Sequence, residues 1–355
     1  MPSLHSPLQL GALHLPNRLV MAPLTRVRAG ASHIPNALMA EYYAQRAEAG
    51  LIITECSMVA EDASAFQGEG GIFNDATMQG WKQVVDAVHA KGGRIAMQIW
   101  HPGRAAHSSI NGVQPISSSA KAIRNETTHT PKGAEPYETP RALATEEIPG
   151  IVSLFAQAAE RVKAAGFDGV QIHGAHGYLL DQFLRDSQND RSDRYGGSLE
   201  NRARLLLEVV DAASAVLGAD RVGVRISPLV PFNDMADSNP TALVEYLAKA
   251  FNQRGLGHFE VRHDQHDRPD ELALAARARE HFKGPLLLNG GFTQESGEAA
   301  IASGLADAIV SVKAFIANPD LVSRFAQNAP LNAVNFGRLY GGGADGYTDY
   351  PVFAG

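Results

Sequence analysis

Eight times along the chain a short apolar run is followed by a stretch of helical periodicity, and this repeat constrains the fold more than any other feature. The runs are RLVMAP (18–23), LIITECSMV (51–59), RIAMQIW (94–100), GVQIH (169–173), RVGVRISP (221–228), HFEVRHD (258–264), PLLLNGG (285–291) and AIVSVKAF (308–315). Repetition of strand then helix is the pattern of parallel strands joined by crossover helices, and eight units suit a closed β/α (TIM) barrel. The 355 residues would also allow two domains. Barrels with insertions, however, run past about 400 residues as one unit, and no linker or low-complexity segment divides this sequence. One domain over residues 1–355 is expected.

Local signals agree with the repeat. Gly50, Gly166, Gly218, Gly255 and Gly304 close helical stretches where a left-handed residue is wanted, and Asn318-Pro319 reads as an N-cap before a first-turn proline. Two segments lie outside the plain barrel. LQLGALHLPNRL (8–19) reads as a hairpin that plugs the barrel's bottom, and 101–145, rich in Ser, Thr, Pro and Gly, is long enough after the third strand to be a lid or binding excursion.

Charge and composition narrow the function. A net charge of −7 with no Lys/Arg stripe argues against a nucleic-acid surface. There is neither an apolar run of about 18 residues nor a basic, then apolar, start, so no membrane span or leader is expected and a cytoplasmic enzyme is. The single cysteine, Cys56, excludes an intrachain disulfide and is expected to be a small buried strand residue.

In such a barrel the chemistry belongs at the carboxyl ends of the strands. Thr25 and Arg26 follow the first strand, Gln98 and Trp100 end the third, and His173 and His176 end the fourth. Arg225 lies in the fifth, Arg262 and His263 in the sixth, Asn289 and Gly290 in the seventh, and Lys313 in the eighth. Hydroxyl, amide, imidazole and cationic groups with few carboxylates suit an anionic, oxygen-rich ligand. Gly174 and Gly177 let the chain turn so that His173 and His176 approach one face, where two imidazoles can hydrogen-bond a carbonyl or nitro oxygen. Satisfied strand-end histidines, or a zinc site with His101 as third ligand, are the alternatives. Gly290 and Gly291 before a helix start, with Lys313 in the neighbouring strand, suit a phosphate.

The segments MAPLTR, EYYAQRA, GLIITE, QIWHPGR, HGAHGYLLDQFL, DRYGGSLENRARLLLEVVDA, VGVRISP, FIANPDL and GYTDYP, in this order over nearly the whole chain, resemble the Old Yellow Enzyme family. The resemblance implies an FMN-containing barrel that passes hydride from NADPH or NADH to electron-poor alkenes: enones, enals, maleimides, nitroalkenes or nitrate esters. By it, Thr25, flanked by Pro23 and Leu24, lies at the flavin's reactive edge, Gln98 bonds the pyrimidine ring and Arg225 offsets charge near N1 and O2. His173 and His176 hold the substrate's activating oxygen and Tyr178 supplies the proton. Trp100 and Phe66 line the pocket, and Asn289, Gly290, Gly291, Val312 and Lys313 meet the FMN phosphate.

Three departures stand out. The family usually has Phe-Gly-Arg where this chain has Ser311-Val312-Lys313, which implies weaker FMN retention. Phe66 stands where many relatives have a tyrosine, and the sequence after the sixth strand leaves Arg262 and His263 without a role. The departures keep two rivals open: a barrel with weakened flavin binding that only binds ligands, and a metal-dependent hydrolase.

Overall fold

The computed structural model describes residues 2–354. Eight parallel strands form the barrel: β1 (Leu19–Met21), β2 (Leu51–Ile53), β3 (Ile95–Trp100), β4 (Gly169–His173), β5 (Val222–Ile226), β6 (His258–Arg262), β7 (Leu286–Asn289) and β8 (Ala308–Ser311). Each pairs with its sequence neighbours, β8 pairs back onto β1, and the sheet is closed. The helices that follow the strands pack outside: Val170, Ile172, Phe259 and Val261 point to them, while Gln171, Arg225 and Glu260 alternate inward.

The barrel interior is layered. At the bottom, Leu8–Leu10 and Leu13–Leu15 form an antiparallel hairpin whose four leucines pack with Val20, Leu51, Ile53, Ala96, Leu287 and Val310. This is the expected plug. Above it sits a polar layer set by strand register, which places Gln171 opposite Gln98 and Arg225 opposite Glu260. Gly223 makes room for this layer's floor, because a Cβ there would meet the His258 ring at 2.0 Å.

Several boundaries differ from the sequence expectation. The second run is not one strand: it breaks at 54–56, where Glu55 turns in to accept from the Arg26 amide and Tyr43 hydroxyl, and resumes only as Ser57–Met58. The eighth ends at Ser311; Val312 turns the chain, and Lys313 opens a short helix, Lys313–Ala317, rather than lying in the strand. Gly166 and Gly255 are left-handed caps and Gly304 has positive φ, as expected, and Gly218 has positive φ with an extended ψ. Gly50 is needed for space instead, since a Cβ would lie 2.2 Å from the Asn17 carbonyl. Asn318 is no N-cap; its side chain ties the Ala314 carbonyl to the Asn332 amide, and the next helix starts at Leu321.

The 101–145 excursion holds a short helix (Ser108–Asn111), a hairpin (Thr127–Thr130 with Gly133–Pro136) and a two-stranded parallel pair (Ile116–Ser117 with Arg141–Ala142). Buried Arg104 pins it to the loop after β5 by donating to the Lys121 and Asn233 carbonyls. No helix among the described residues is long and apolar enough to cross a membrane.

Candidate active site

The barrel mouth carries two cavities that share Arg262 and Asp264. The first, about 560 Å³, is walled by Pro23, Leu24 and Thr25 after β1, Gln98, the histidine turn after β4, Arg225, and Phe66. The second, about 500 Å³, is walled by Asn289, Gly290, Gly291, Val312 and Lys313 with His263. Every residue expected to touch a flavin ring thus lies on one cavity, and every residue expected to touch its phosphate on the other.

The histidine turn has an unusual backbone. His176 is held at φ +57, a left-handed conformation uncommon for a residue with a Cβ. Its amide donates to Ser227 Oγ and its carbonyl accepts from Asn233 Nδ2, each at 2.8 Å, so the strain is fixed from both sides. The result brings His176 and His173 to a ring separation of 5.5 Å, with Tyr178 5.1 Å from His173. Gly177 must be glycine: its φ is +71, and a Cβ would meet Asn233 and Met235 at 2.7 Å.

Electrostatics keep all three neutral. Burial, then the Arg225 charge, holds both imidazoles well below their ordinary range, and burial lifts the Tyr178 phenol well above its own. His173 Nδ1 is buried without a hydrogen-bond partner. Two neutral N–H donors and a protonated phenol therefore face one space.

The polar layer beneath has a direction. Glu260 accepts at Oε2 from Gln171 Nε2 (2.8 Å), and Gln171 Oε1 accepts from Gln98 Nε2 (2.8 Å). Because an ionised carboxylate only accepts, this order leaves Gln98 its carbonyl oxygen for a ring N–H donor. Arg225 Nε lies 3.1 Å from Glu260 Oε1 but out of line for a hydrogen bond. A buried guanidinium on the cavity wall and a free amide oxygen fit the pyrimidine end of an isoalloxazine ring. The glycine turn fits its phosphate: Gly291 has φ +79 and open space around it.

Three expectations are corrected. Trp100 is not on the cavity wall; it is fully buried one layer behind, 4.5 Å from the Tyr178 ring and stacked at 5.7 Å on Phe66. Arg26 turns away from the site and donates to the carbonyls of Leu339 and Gly346, each at 2.8 Å. Cys56 is buried but off the strand, on the cavity wall with its sulfur 2.9 Å from Thr25 Oγ1, and burial raises its thiol pKa. His101, a ring considered for zinc, accepts from the Gly103 amide through Nδ1, and no group of three metal-type side chains gathers among the described residues. Sequence reasoning missed Glu126, Pro231, Phe232 and Tyr340, which reach the wall from loops with no motif.

Barrel, inward polar layer and paired ring and phosphate cavities together define a flavin-dependent oxidoreductase. Comparison with known proteins makes this specific. The model of the NADH:flavin oxidoreductase / NADH oxidase family matches residues 3–332. A probable flavin mononucleotide-dependent alkene reductase of Leishmania infantum is 45% identical, over 97% of this chain and 96% of its own. The 12-oxophytodienoate reductase 2 of Arabidopsis thaliana is 42% identical, over 98% and 93%. Morphinone reductase in complex with tetrahydroNAD superposes with a TM-score of 0.95 at 44% identity, covering 99% of this chain and 98% of that one. An Old Yellow Enzyme homologue from Zymomonas mobilis gives 0.96 at 42%, covering 99% and 100%. The chain belongs to the NADH:flavin oxidoreductase / NADH oxidase family, the Old Yellow Enzymes.

Proposed function

We propose that this protein is an FMN-dependent ene-reductase that reduces alkenes activated by a carbonyl or nitro group at the expense of NADPH or NADH. The observation that carries the reading is the His173, His176 and Tyr178 constellation beside the ring cavity. Kinship with alkene, 12-oxophytodienoate and morphinone reductases supports it.

Bound FMN supplies the hydride. Thr25, Gln98 and Arg225 hold the ring, with Pro23 and Leu24 against it. Gly290, Gly291 and Lys313, beside Asn289 and Val312, receive the phosphate. Neutral His173 and His176 each donate an N–H to the substrate's activating oxygen, orienting the alkene and stabilising the negative charge that develops there; one such donor is worth roughly 2.7–4 kcal/mol in comparable sites. Tyr178, kept protonated by burial, gives its proton to the alkene carbon next to the activating group, opposite the far alkene carbon that receives the hydride. Phe66 and Phe232 make the flanks of the pocket apolar. The 101–145 excursion is part of the same single domain and contributes Glu126 to the wall, where it acts on substrate range. Cytoplasmic location belongs to the same reading, in keeping with a lone unpaired cysteine.

The test is spectroscopic. Purified protein should show an oxidised-flavin spectrum that bleaches anaerobically with NADPH or NADH and returns on addition of cyclohexenone. A spectrum that bleaches but is not restored by any enone or nitroalkene would remove the ene-reductase reading.

A further inference from the structure

Two of the three places where the sequence departs from the family resemblance, the end of β6 and the start of the helix after β8, face the same cavity. His263 is 1% exposed and neither of its ring nitrogens has a hydrogen-bond partner. Buried imidazoles are ordinarily paired, so a wholly unpaired one on a cavity wall marks a ligand's place. Its position is fixed: its amide donates to the Asn289 carbonyl, and a Cβ on Gly290 would lie 2.8 Å from His263 Cβ. Arg262 stands where the two cavities meet, its Nη1 donating to the His263 carbonyl and lying 3.5 Å from Asp264 Oδ1. Asp264 is the one carboxylate on this wall, and it also faces Arg268 at 3.9 Å. Lys313, in contrast, is exposed, with its ammonium 5.6 Å from the Phe336 ring, so its charge is shared with a surface aromatic.

We propose that Arg262 and His263 are anchoring residues for the FMN phosphate, adding from the end of β6 to the weaker grip that Val312 and Lys313 supply after β8. The inference rests on the FMN reading above. A phosphate monoester accepts hydrogen bonds only, and this wall offers it a guanidinium fork, an imidazole N–H and the amides of a glycine turn. Arg262 also borders the ring cavity, so one side chain fixes the distance between ring and phosphate. His263 enters neutral, its pKa lowered by burial to about 4, and acts as a donor without adding charge.

The measurement is flavin affinity, read by quenching of flavin fluorescence in protein stripped of flavin and reloaded with FMN or with riboflavin, which lacks the phosphate. Arg262→Ala and His263→Ala should each weaken FMN by about tenfold or more and leave riboflavin unchanged. His263→Gln, which keeps an N–H donor, should recover part of the loss, and Lys313→Ala should do less than either. Unchanged FMN affinity in both alanine variants, or equal weakening of FMN and riboflavin, would overturn the assignment while leaving the ene-reductase reading intact. Wild-type protein that binds neither flavin would overturn both. Arg262 is part-exposed, so its variant remains informative should His263→Ala fail to fold.

Discussion

Arg225 Nε and Glu260 Oε1 face each other at 3.1 Å inside the barrel, both almost completely shielded from water. Desolvation pulls both partners toward their neutral forms, and each opposes that shift in the other. Removing one partner leaves a buried charge uncompensated, so Glu260→Ala should lower unfolding free energy by about 3–5 kcal/mol in denaturant titrations. Glu260→Gln is more informative. It keeps the shape but frees the Arg225 charge to act on the ring, and its amide, which can donate as well as accept, no longer fixes the Gln171–Gln98 order. The flavin midpoint potential should rise by tens of millivolts; an unaltered potential would show that Arg225 does not sense the cofactor.

Tyr178→Phe separates the two half-reactions. The phenol packs against Trp100 and His173, and as proton donor to the alkene it belongs to the second half-reaction alone, so under the proposed role flavin reduction by NADPH or NADH should keep its rate. Reoxidation by cyclohexenone should slow by roughly 10²–10⁴-fold, the usual worth of a positioned proton donor. Stopped-flow absorbance resolves the two steps, and equal loss in both would contradict the assignment. With its pKa raised, Tyr178 should impose no loss of its own on the wild-type rate across the neutral range.

Acid should weaken the fold through histidines outside the proposed chemistry. Burial lowers His101 and His258 to about 4, against an ordinary value near 6.5. Below that ordinary value the unfolded chain takes up protons that the native chain refuses, so stability falls as pH drops from about 6.5 toward 4 and levels off below. Glu55, raised to about 7, works the other way, since the native state binds its proton first. Burial also raises Asp181 and Glu260 and lowers His173, His176 and His263, so five histidines stand against three carboxyls and the balance is a net loss. His258→Gln, which keeps a polar side chain beside Gln171, should flatten the decline in thermal midpoint between pH 6.5 and 5; an identical slope would show that His258 contributes none of it.

The fold was legible because each strand carries its own alternation and each crossover its own helical period, both local properties. The histidine turn was legible for the same reason: His173, Gly174, His176, Gly177 and Tyr178 are neighbours in sequence, and the glycines announce the turn. Register was not. Nothing local states that Arg225 meets Glu260 or that Gln98 meets Gln171, since a one-residue slip would reverse every side chain. Cys56 was read as a strand residue because the break at 54–56 is made by Glu55 reaching Arg26 and Tyr43, partners far away in sequence. Trp100 alternates correctly on β3, but only packing reveals that Tyr178 lies between it and the cavity.

The same distance hides the part played by the carboxyl-terminal segment. Tyr340 reaches the cavity wall from more than three hundred residues beyond β1, and Arg26 brings it there. Its guanidinium donates to the Leu339 and Gly346 carbonyls and lies 5.0 Å from the Tyr347 ring, while Arg28 donates to the Arg338 and Leu339 carbonyls. A lysine cannot reproduce this planar fork. Arg26→Lys should therefore loosen residues 338–347 without touching the histidines or Tyr178. The expected signature is a severalfold higher KM for the alkene at nearly constant kcat, with faster proteolytic cleavage in that segment. A fall in kcat at constant KM would instead place the Arg26 side chain in the positioning of its neighbour Thr25 on the cavity wall.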